Sequence, residues 1–390
     1  MTEAITPRAC HAMDPRVARV EFATYRVPLP APVRSATIAI SHRELLIVRV
    51  TADDGTWGIG WGATAGVAIT AAAALLRDYL LPGLEGTRVF EADATWHRLW
   101  NRVHFPDAGG ISTLAMGPLD IALWDLRAKQ ARLPLYRLLG GHRDRVFAYA
   151  SAINFHLDRH ALVAQAEHFV AQGFGGLKMK IGRPDLAEDL RRIAAVREVL
   201  GPDRKLYLDA NQGWSAAEAV QACHALEPFA PAWIEEPILS DDVAGHADLR
   251  RRVRMPVALG ESLSNRYEFW NFVREGAVDV LQPNPWKVGG ITEWMRVASL
   301  AAVANLRVAP HASIEISAHL CAAVAPGLGV ERLFGGDLSD LGVLRSSLQF
   351  EQGHVVLPET SGLGVDFAWD RLAPHVVAAA CGNGALRDVE

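Results

Sequence analysis

Asp209, Glu235 and Glu261 follow one another at 26-residue intervals, and each closes a short apolar run: LYLD, WIE and ALGE. Three carboxylates brought together repel one another and raise each other's pKa, so convergence calls for a counter-charge. Their oxygens are hard donors that favour Mg²⁺, with Mn²⁺ as the near alternative; Zn²⁺ would want His or Cys. A second group, Lys178 and Lys180, sits in GLKMK. Side by side, each ammonium disfavours protonation of the other, and a nearby Mg²⁺ lowers both, so one can be a neutral amine near pH 7. Metal and amine are then complementary halves of one step, removal of a proton next to a carboxylate, which leaves a doubly charged enediolate to be held. Taken singly, each acid reads equally well as a solvated loop residue or a partner of arginine, and KxK as a solvated face. Only their joint position makes a site.

What must position them is a repeating frame. From about Val146 onward, short apolar strands alternate with amphipathic helices. The predicted strands are Val146–Ser151, Gly176–Ile181, Lys205–Asp209, Ala232–Glu235, Val257–Glu261, Val278–Gln282, Arg307–Pro310 and Val330–Phe334. Between them lie helices such as His160–Gln172, Leu186–Leu200, Ala216–Leu226, Arg266–Glu275 and Ile291–Ala304. Eight parallel strands at this spacing fit a closed β/α barrel better than an open doubly wound sheet, and Ser151–Phe155 has no glycine for a phosphate turn. In a barrel the chemistry stands at the C-terminal strand ends. Those ends read Lys178-Met179-Lys180, Asp209-Ala210-Asn211, Glu235-Glu236-Pro237, Gly260-Glu261, Gln282-Pro283-Asn284 and Pro310-His311, with Glu331 in the eighth strand. Alternation along a strand places Lys178 with Lys180, and Asp209 with Asn211, on one side.

The first third reads as strands (Val17 to about Val50, then an Asp54-Gly55 turn) followed by helices over Val67–Leu80, Glu91–Arg102 and Leu114–Gln130, an α+β pattern. The tail, Leu344–Leu372, returns to strand and turn text and is expected to close back over this domain. A chain of 390 residues, half hydrophobic and 21% charged, has ample material for a large core. Its net charge of −5, without long runs of one sign, does not suit nucleic acid. The longest apolar stretch, Ala65–Leu76, is far short of the ~20 residues that span a bilayer. The first sixteen residues carry charges and prolines instead of an apolar signal, so a frayed tail and a cytoplasmic location are expected. Cys10, Cys223, Cys321 and Cys381 are too scattered for zinc or a disulfide framework and read as reduced thiols.

The runs GLKMKIG (176–182), LDANQGW (208–214), WIEEP (233–237), LGES (259–262), QPNPWKVGGIT (282–292) and PHASIEISAHL (310–320) closely resemble the mandelate racemase branch of the enolase superfamily. GPLDIALWDLRAKQARLPLYRLLGG (117–141) is similar to that superfamily's capping domain. The resemblance covers about Val17 to Asp370. It implies an α/β fold, a modified (β/α)7β TIM barrel with an N-terminal α+β capping domain completed by the C-terminal segment. The corresponding divisions are 1–16 tail, 17–140 capping domain, 141–340 barrel and 341–390 return to the cap. A lysine or histidine base acting with Mg²⁺ is the known pairing in that superfamily. The resemblance further implies Asp209, Glu235 and Glu261 as magnesium ligands, with Glu236 behind them, and Lys180 as general base with Lys178 tuning it and touching the substrate carboxylate. His311 would stand on the opposite face, and Glu331 would hydrogen-bond the substrate carboxylate or enediolate, with Asn211 beside it. Specificity in the family comes from capping loops, here Arg34, His42 and Arg43 in the first and Trp61–Gly66 in the second, with His104–Asp107 as a further contributor. Trp214 and Trp286 are placed to wall the pocket, whereas Lys287, His319, Glu315 and His354 read as packing or surface residues. The expected partner is a small hydroxy-carboxylate such as a sugar acid, and the expected assembly a homo-oligomer between dimer and octamer.

One position departs from the branch. The residue that pairs with the histidine is there an aspartate; here it is Asn284. An amide can accept a hydrogen bond from the ring but lends it no charge, so His311 is expected to be a weaker base. Racemisation needs a competent base on each face, so the change argues against it. Dehydration needs Lys180 to take the α-proton, while His311, a hydroxyl or water delivers a proton to the leaving β-hydroxyl. Alternatively Gln282 or a water bridges to His311 and Asn284 is ordinary variation. No lysine stands at 282–284 or 310–311, unlike the muconate lactonising branch. The leading expectation is a Mg²⁺-dependent aldonate or aldarate dehydratase giving a 2-keto-3-deoxy acid. Its alternatives are a racemase, epimerase or lactone cycloisomerase, and more distantly a Schiff-base barrel aldolase or a non-catalytic relative.

Overall fold

The computed structural model describes residues 15–35 and 37–380. The chain opens with a long antiparallel hairpin of β1 (Val17–Arg34) and β2 (Ala39–Ala52), extended by β3 (Trp57–Thr64). Its register slips between Pro28 and Val33, where prolines cannot donate to a ladder. Pro15 and Arg16, expected in a frayed tail, are held against this sheet: the Pro15 carbonyl accepts from Val89 N and Arg16 bridges Arg88. Residues 1–14, with Cys10, lie outside the described residues, as do 381–390 with Cys381.

Helices α1 (Ile69–Leu75), α2 (Ala92–Val103) and α3 (Ile111–Gln130) cover the hairpin, and α4 (Leu135–Leu138) leads away. The helix expected over Val67–Leu80 is interrupted: Ala68 is left-handed and the last turn, Leu76–Leu80, widens to a π-helix. α3 joins everything that matters for the site. Gly58 and Gly60 let β3 lie directly on it, since a Cβ would come within 2.2 Å of Ala122 O and 2.1 Å of Pro118 O respectively. The Asp125 carboxylate accepts from the amides of Ile59 (2.8 Å) and Leu363 (2.7 Å), and Asp120 accepts from Thr292 N (2.8 Å) and Oγ1 (2.7 Å). Gly117 meets the barrel so closely that a Cβ would sit 2.1 Å from Trp286 O.

The barrel strands are β4 (Arg145–Ala152), β5 (Gly176–Lys180), β6 (Lys205–Asp209), β7 (Trp233–Glu235), β8 (Val257–Leu259), β9 (Val280–Leu281), β10 (Arg307–Val308) and β11 (Val330–Phe334). Each pairs parallel with the next from β4 to β10, β11 lies beside β4, and a bridge from Val308 to Gly327 closes the ring. Between them run α5 (Arg159–Ala171), α6 (Leu186–Leu200), α7 (Ala216–Leu226), α8 (Val243–Arg252), α9 (Arg266–Arg274), α10 (Ile291–Val303) and α11 (Ile314–Ala323). Seven helices follow eight strands, the (β/α)7β arrangement. Several strands stop short of their expected ends because Gly260 (φ 144°), Pro283 and Pro310 leave the ladder where the site begins. Side-chain caps start α5, α6, α7, α8 and α9, from Asp158, Asp185, Ser215, Asp242 and Asn265.

The returning tail first serves the barrel. β12 (Gln349–Glu351) and β13 (His354–Val356) form a hairpin whose second strand pairs antiparallel with the start of β4. The chain then passes Pro134 at Gly362, makes α12 (Trp369–Leu372), and ends as β14 (Val376–Ala380) beside β1, giving a sheet of order β14-β1-β2-β3. Cys223 and Cys321 are buried free thiols. Among the described residues no helix is long and apolar enough to cross a membrane.

Candidate active site

Strand register brings the first charges together. Lys180 is the lateral neighbour of Asp209, and Asp209 of Glu235, across β5, β6 and β7. One oxygen each of Asp209, Glu235 and Glu261 lie mutually within 4.8 Å. Lys178 Nζ sits 2.8 Å from Glu235 Oε1, 2.8 Å from Glu331 Oε1 and 3.6 Å from Asp209 Oδ2, and Lys180 Nζ lies 2.5 Å from Asp209 Oδ2. The alternation expected for the lysine pair therefore holds. Asn211 reaches the same cavity by another route: the chain has left β6 and turned left-handed (φ 45°), so its amide caps Asp209 Oδ1 at 2.9 Å while its own Oδ1 is buried without a hydrogen-bond partner among the described residues.

Neutral donors fix two of the glutamates. Glu235 Oε2 accepts from Gln282 Nε2 at 2.7 Å and Trp233 Nε1 at 3.2 Å. Glu236, on a left-handed backbone (φ 38°), lines the same cavity and accepts from Ser262 Oγ and Gln212 Nε2. Gln282 thus holds an acid and does not bridge to His311, and neither its role nor that of Gln212 was legible from residue type. Burial pushes Glu235 up to about 7, with Lys178 pulling it down and Asp209, Glu331 and Glu261 adding to the push. Glu236 rises to about 8, again chiefly by burial, with Glu261 and Asp209 contributing. Burial would lower both lysines, yet Glu235 and Glu331 raise Lys178 well above its usual value, and Asp209 raises Lys180 although Lys178 opposes it. The neutral amine expected of the pair is therefore not produced by the side chains themselves. Three carboxylates converging with only oxygen donors, one of them, Glu235, held back from ionising by burial, fit a hard divalent cation.

His311 Nε2 is 2.9 Å from Glu261 Oε2 and 4.0 Å from Glu331 Oε2. Burial would lower its pKa, but the negative charge of Glu261 beside it, with Glu331 behind, raises it. The role expected of Asn284 also needs correction. Its Oδ1 does not accept from the ring, because it already accepts from the amides of Trp286 (3.1 Å) and Lys287 (3.2 Å); it is Nδ2 that lies 3.2 Å from His311 Nδ1.

These groups open into a cavity of about 280 Å³ between barrel and cap, lined by Lys180, Asn211, Glu261, Asn284, His311 and Glu331 from the barrel and by Arg43, Trp61, Ala63, Thr64 and Ala65 from the cap. Trp61 is brought in as expected and stands edge-on to Phe367. Arg34 and His42 are not. Arg34 is exposed at the end of β1, and His42 turns toward Gly66. Successive strand residues face opposite ways, so the inward position falls to Arg43. Its Nε is buried without a hydrogen-bond partner among the described residues, and Nη2 lies 2.9 Å from where a Cβ on Gly336 would be. Trp286 lines the wall, but Trp214 and the His104–Asp107 loop do not. Glu315 also lines the cavity instead of merely packing, and burial pushes it up to about 7. His319 is a packing residue, with Nδ1 accepting from Tyr136 N and Nε2 facing Leu363 O.

Comparison with known proteins agrees with this architecture. Residues 19–140 match the model of the mandelate racemase / muconate lactonizing enzyme N-terminal domain, and residues 161–371 that of the enolase C-terminal domain-like family. The chain is 36% identical over 364 residues to a 3,6-anhydro-alpha-L-galactonate cycloisomerase of Streptomyces coelicolor, covering 91% of this chain and 98% of the relative. It is 34% identical to an L-talarate/galactarate dehydratase of Salmonella typhimurium, covering 82% of each. A crystal structure of L-talarate dehydratase from Polaromonas sp. JS666, complexed with Mg and L-glucarate, superposes with a TM-score of 0.88 at 32% identity, covering 94% of this chain and 98% of that one. With both of its halves matched and its strand ends carrying the site, the chain belongs to the mandelate racemase/muconate lactonizing enzyme family of the enolase superfamily.

Proposed function

We propose that this protein is a Mg²⁺-dependent enzyme that removes the proton α to the carboxylate of a sugar acid and expels the β-hydroxyl as water, giving a 2-keto-3-deoxy acid. The observation that carries the reading is the convergence of Lys178 and Lys180 with Asp209, Glu235 and Glu261 in one buried cluster at the cavity floor. Relatives that handle acid sugars, one of them bound to Mg and L-glucarate, support the cation and the substrate class. Asp209, Glu235 and Glu261 would hold the ion, which when bound supplies positive charge against the carboxylate as its α-carbon is deprotonated. Lys180 accepts the α-proton at Nζ, and Lys178, between Glu235 and Glu331, stays an ammonium that binds the carboxylate. The same proton, returned from Lys180 to the β-oxygen, completes the loss of water. Glu261 places His311 on the opposite flank of the trio from Lys180. Arg43, at the cap side, suits an anionic or hydroxylated distal end.

A second reading, cycloisomerisation, is favoured by the 36% identical relative. A lactone or anhydro-ring oxygen on the β-carbon would leave by the same elimination. Incubation of a panel of aldonates, aldarates, lactones and anhydro acids in D₂O with Mg²⁺, followed by NMR, separates these outcomes. A 2-keto-3-deoxy product from an open-chain acid establishes dehydration, ring opening establishes cycloisomerisation, and deuterium at the α-carbon without elimination points to epimerisation. No change in any compound would sink the proposal.

A further inference from the structure

The amide of Asn284 has a fixed direction. Its Oδ1 accepts from two backbone amides, Trp286 N at 3.1 Å and Lys287 N at 3.2 Å, and swapping Oδ1 for Nδ2 would set an NH₂ against both donors. Asn284 is buried, and its loop lies against α3 where Gly117 meets Trp286 O, so these two backbone donors set the direction of the amide. Nδ2 must therefore face Nδ1 of His311, at 3.2 Å, as a donor. In the neutral ring a nitrogen that accepts there carries no proton, so the ring's proton sits on Nε2, the nitrogen 2.9 Å from Glu261 Oε2. An aspartate at position 284 would do the reverse: it would draw the proton to Nδ1 and leave the Nε2 lone pair facing the site.

We infer that Asn284 is a positioning residue that fixes His311 in the Nε2–H tautomer, so that the ring offers substrate a hydrogen-bond donor instead of a base, and proton abstraction is confined to the Lys180 side. This rests on the proposed abstraction by Lys180, and extends it to stereochemistry. A site with one base accepts substrates of one α-configuration and exchanges only that proton. The ring, holding its Nε2 proton, can polarise an oxygen of the substrate without bond making or breaking at nitrogen.

Two measurements test the inference, and the first needs no substrate. In ¹⁵N-histidine-labelled protein with Mg²⁺, the His311 signals, assigned by their loss in His311→Gln, are expected to show Nε2 protonated and Nδ1 bare, whereas Asn284→Asp moves the proton to Nδ1. A proton on Nδ1 in the wild type overturns the inference. Asn284→Asp keeps the oxygen that the Trp286 and Lys287 amides require, so the loop is retained, and an unchanged amide spectrum elsewhere checks this. In the second measurement, α-proton exchange in D₂O is followed with acid sugars epimeric at the α-carbon. Wild type is expected to exchange one epimer and Asn284→Asp both, with the new exchange removed by adding His311→Gln. Exchange of both epimers by wild type through His311 overturns the inference. Absence of any exchange or turnover, with the Nε2–H signature intact, would instead count against Lys180 abstraction and leave the tautomer standing.

Discussion

Lys180 and Asp209 are register partners on adjacent parallel strands, with Nζ of the one 2.5 Å from Oδ2 of the other. The amine proposed to take the α-proton is thus carried on the same rigid ladder as a proposed ligand of the ion. Each can be placed only as precisely as two neighbouring strands, and that suits a step needing the ion and the base within a few ångströms of one carbon.

Removing the base is the most direct test. Lys180→Ala is expected to lower kcat for α-proton abstraction by roughly 10²–10⁴-fold, the usual contribution of a positioned acid or base. Mg²⁺ binding should survive, because the three carboxylates remain. Exchange of the α-proton into D₂O, followed alongside Mn²⁺ binding by electron paramagnetic resonance, checks both halves. Undiminished exchange would place the base elsewhere.

Gln282 holds Glu235 Oε2 at 2.7 Å and is buried, although it would not itself touch the ion. Gln282→Leu should weaken Mn²⁺ or Mg²⁺ affinity by roughly 10–100-fold, the range typical of a lost partner behind a metal ligand. Titration calorimetry reads this without turnover, and affinity equal to wild type would show that Glu235 keeps its orientation unaided.

Arg43 reaches the cavity from the cap with Nε unengaged among the described residues. If it meets a distal carboxylate, Arg43→Met should cut kcat/KM for dicarboxylic acid sugars by about 10–100-fold, the loss of a charged hydrogen bond worth about 1.5–3 kcal/mol, and affect monocarboxylic ones far less. Paired kinetics on an aldarate and the matching aldonate check this. An equal loss on both would mark a residue that shapes the cap and does not choose substrate.

His319 ties α11 to the Tyr136 amide and the Leu363 carbonyl, and burial depresses it to about 4. The folded pKa lies below the unfolded value of about 6.5, so the unfolded chain binds the proton more readily. The contribution of the neutral ring is fully present above pH ~6.5 and is lost as pH falls through ~4, by up to about 3 kcal/mol. Urea unfolding between pH 7 and 4 should show this slope, and His319→Gln should flatten it. A variant with the same slope would assign the acid sensitivity to other groups.

Much of this was legible in the strand ends. The 26-residue interval set one βα unit per carboxylate, and the polar residue at each strand end marked the mouth, because a barrel exposes those ends whatever the rest of the sequence does. Element limits were less legible where proline or Gly260 broke the ladder before the expected end, and α1 gave way to a wider turn that apolar periodicity does not register.

By itself, then, the sequence determined the frame, the acids, the lysine pair and the presence of an amide where a carboxylate was expected. These depend on residue type and spacing along one strand or one βα unit. Only the tertiary structure decided that Arg43 and not His42 faces the cavity, since a single step along β2 reverses the side and nothing local marks which side the barrel will meet. It also decided which way the Asn284 amide points, because that depends on two backbone donors in the following turn and on the close approach of Gly117 in α3. Hydrogen-bond direction belongs to the assembled neighbourhood of a side chain, and in this protein it is what distinguishes a donor from a base at His311.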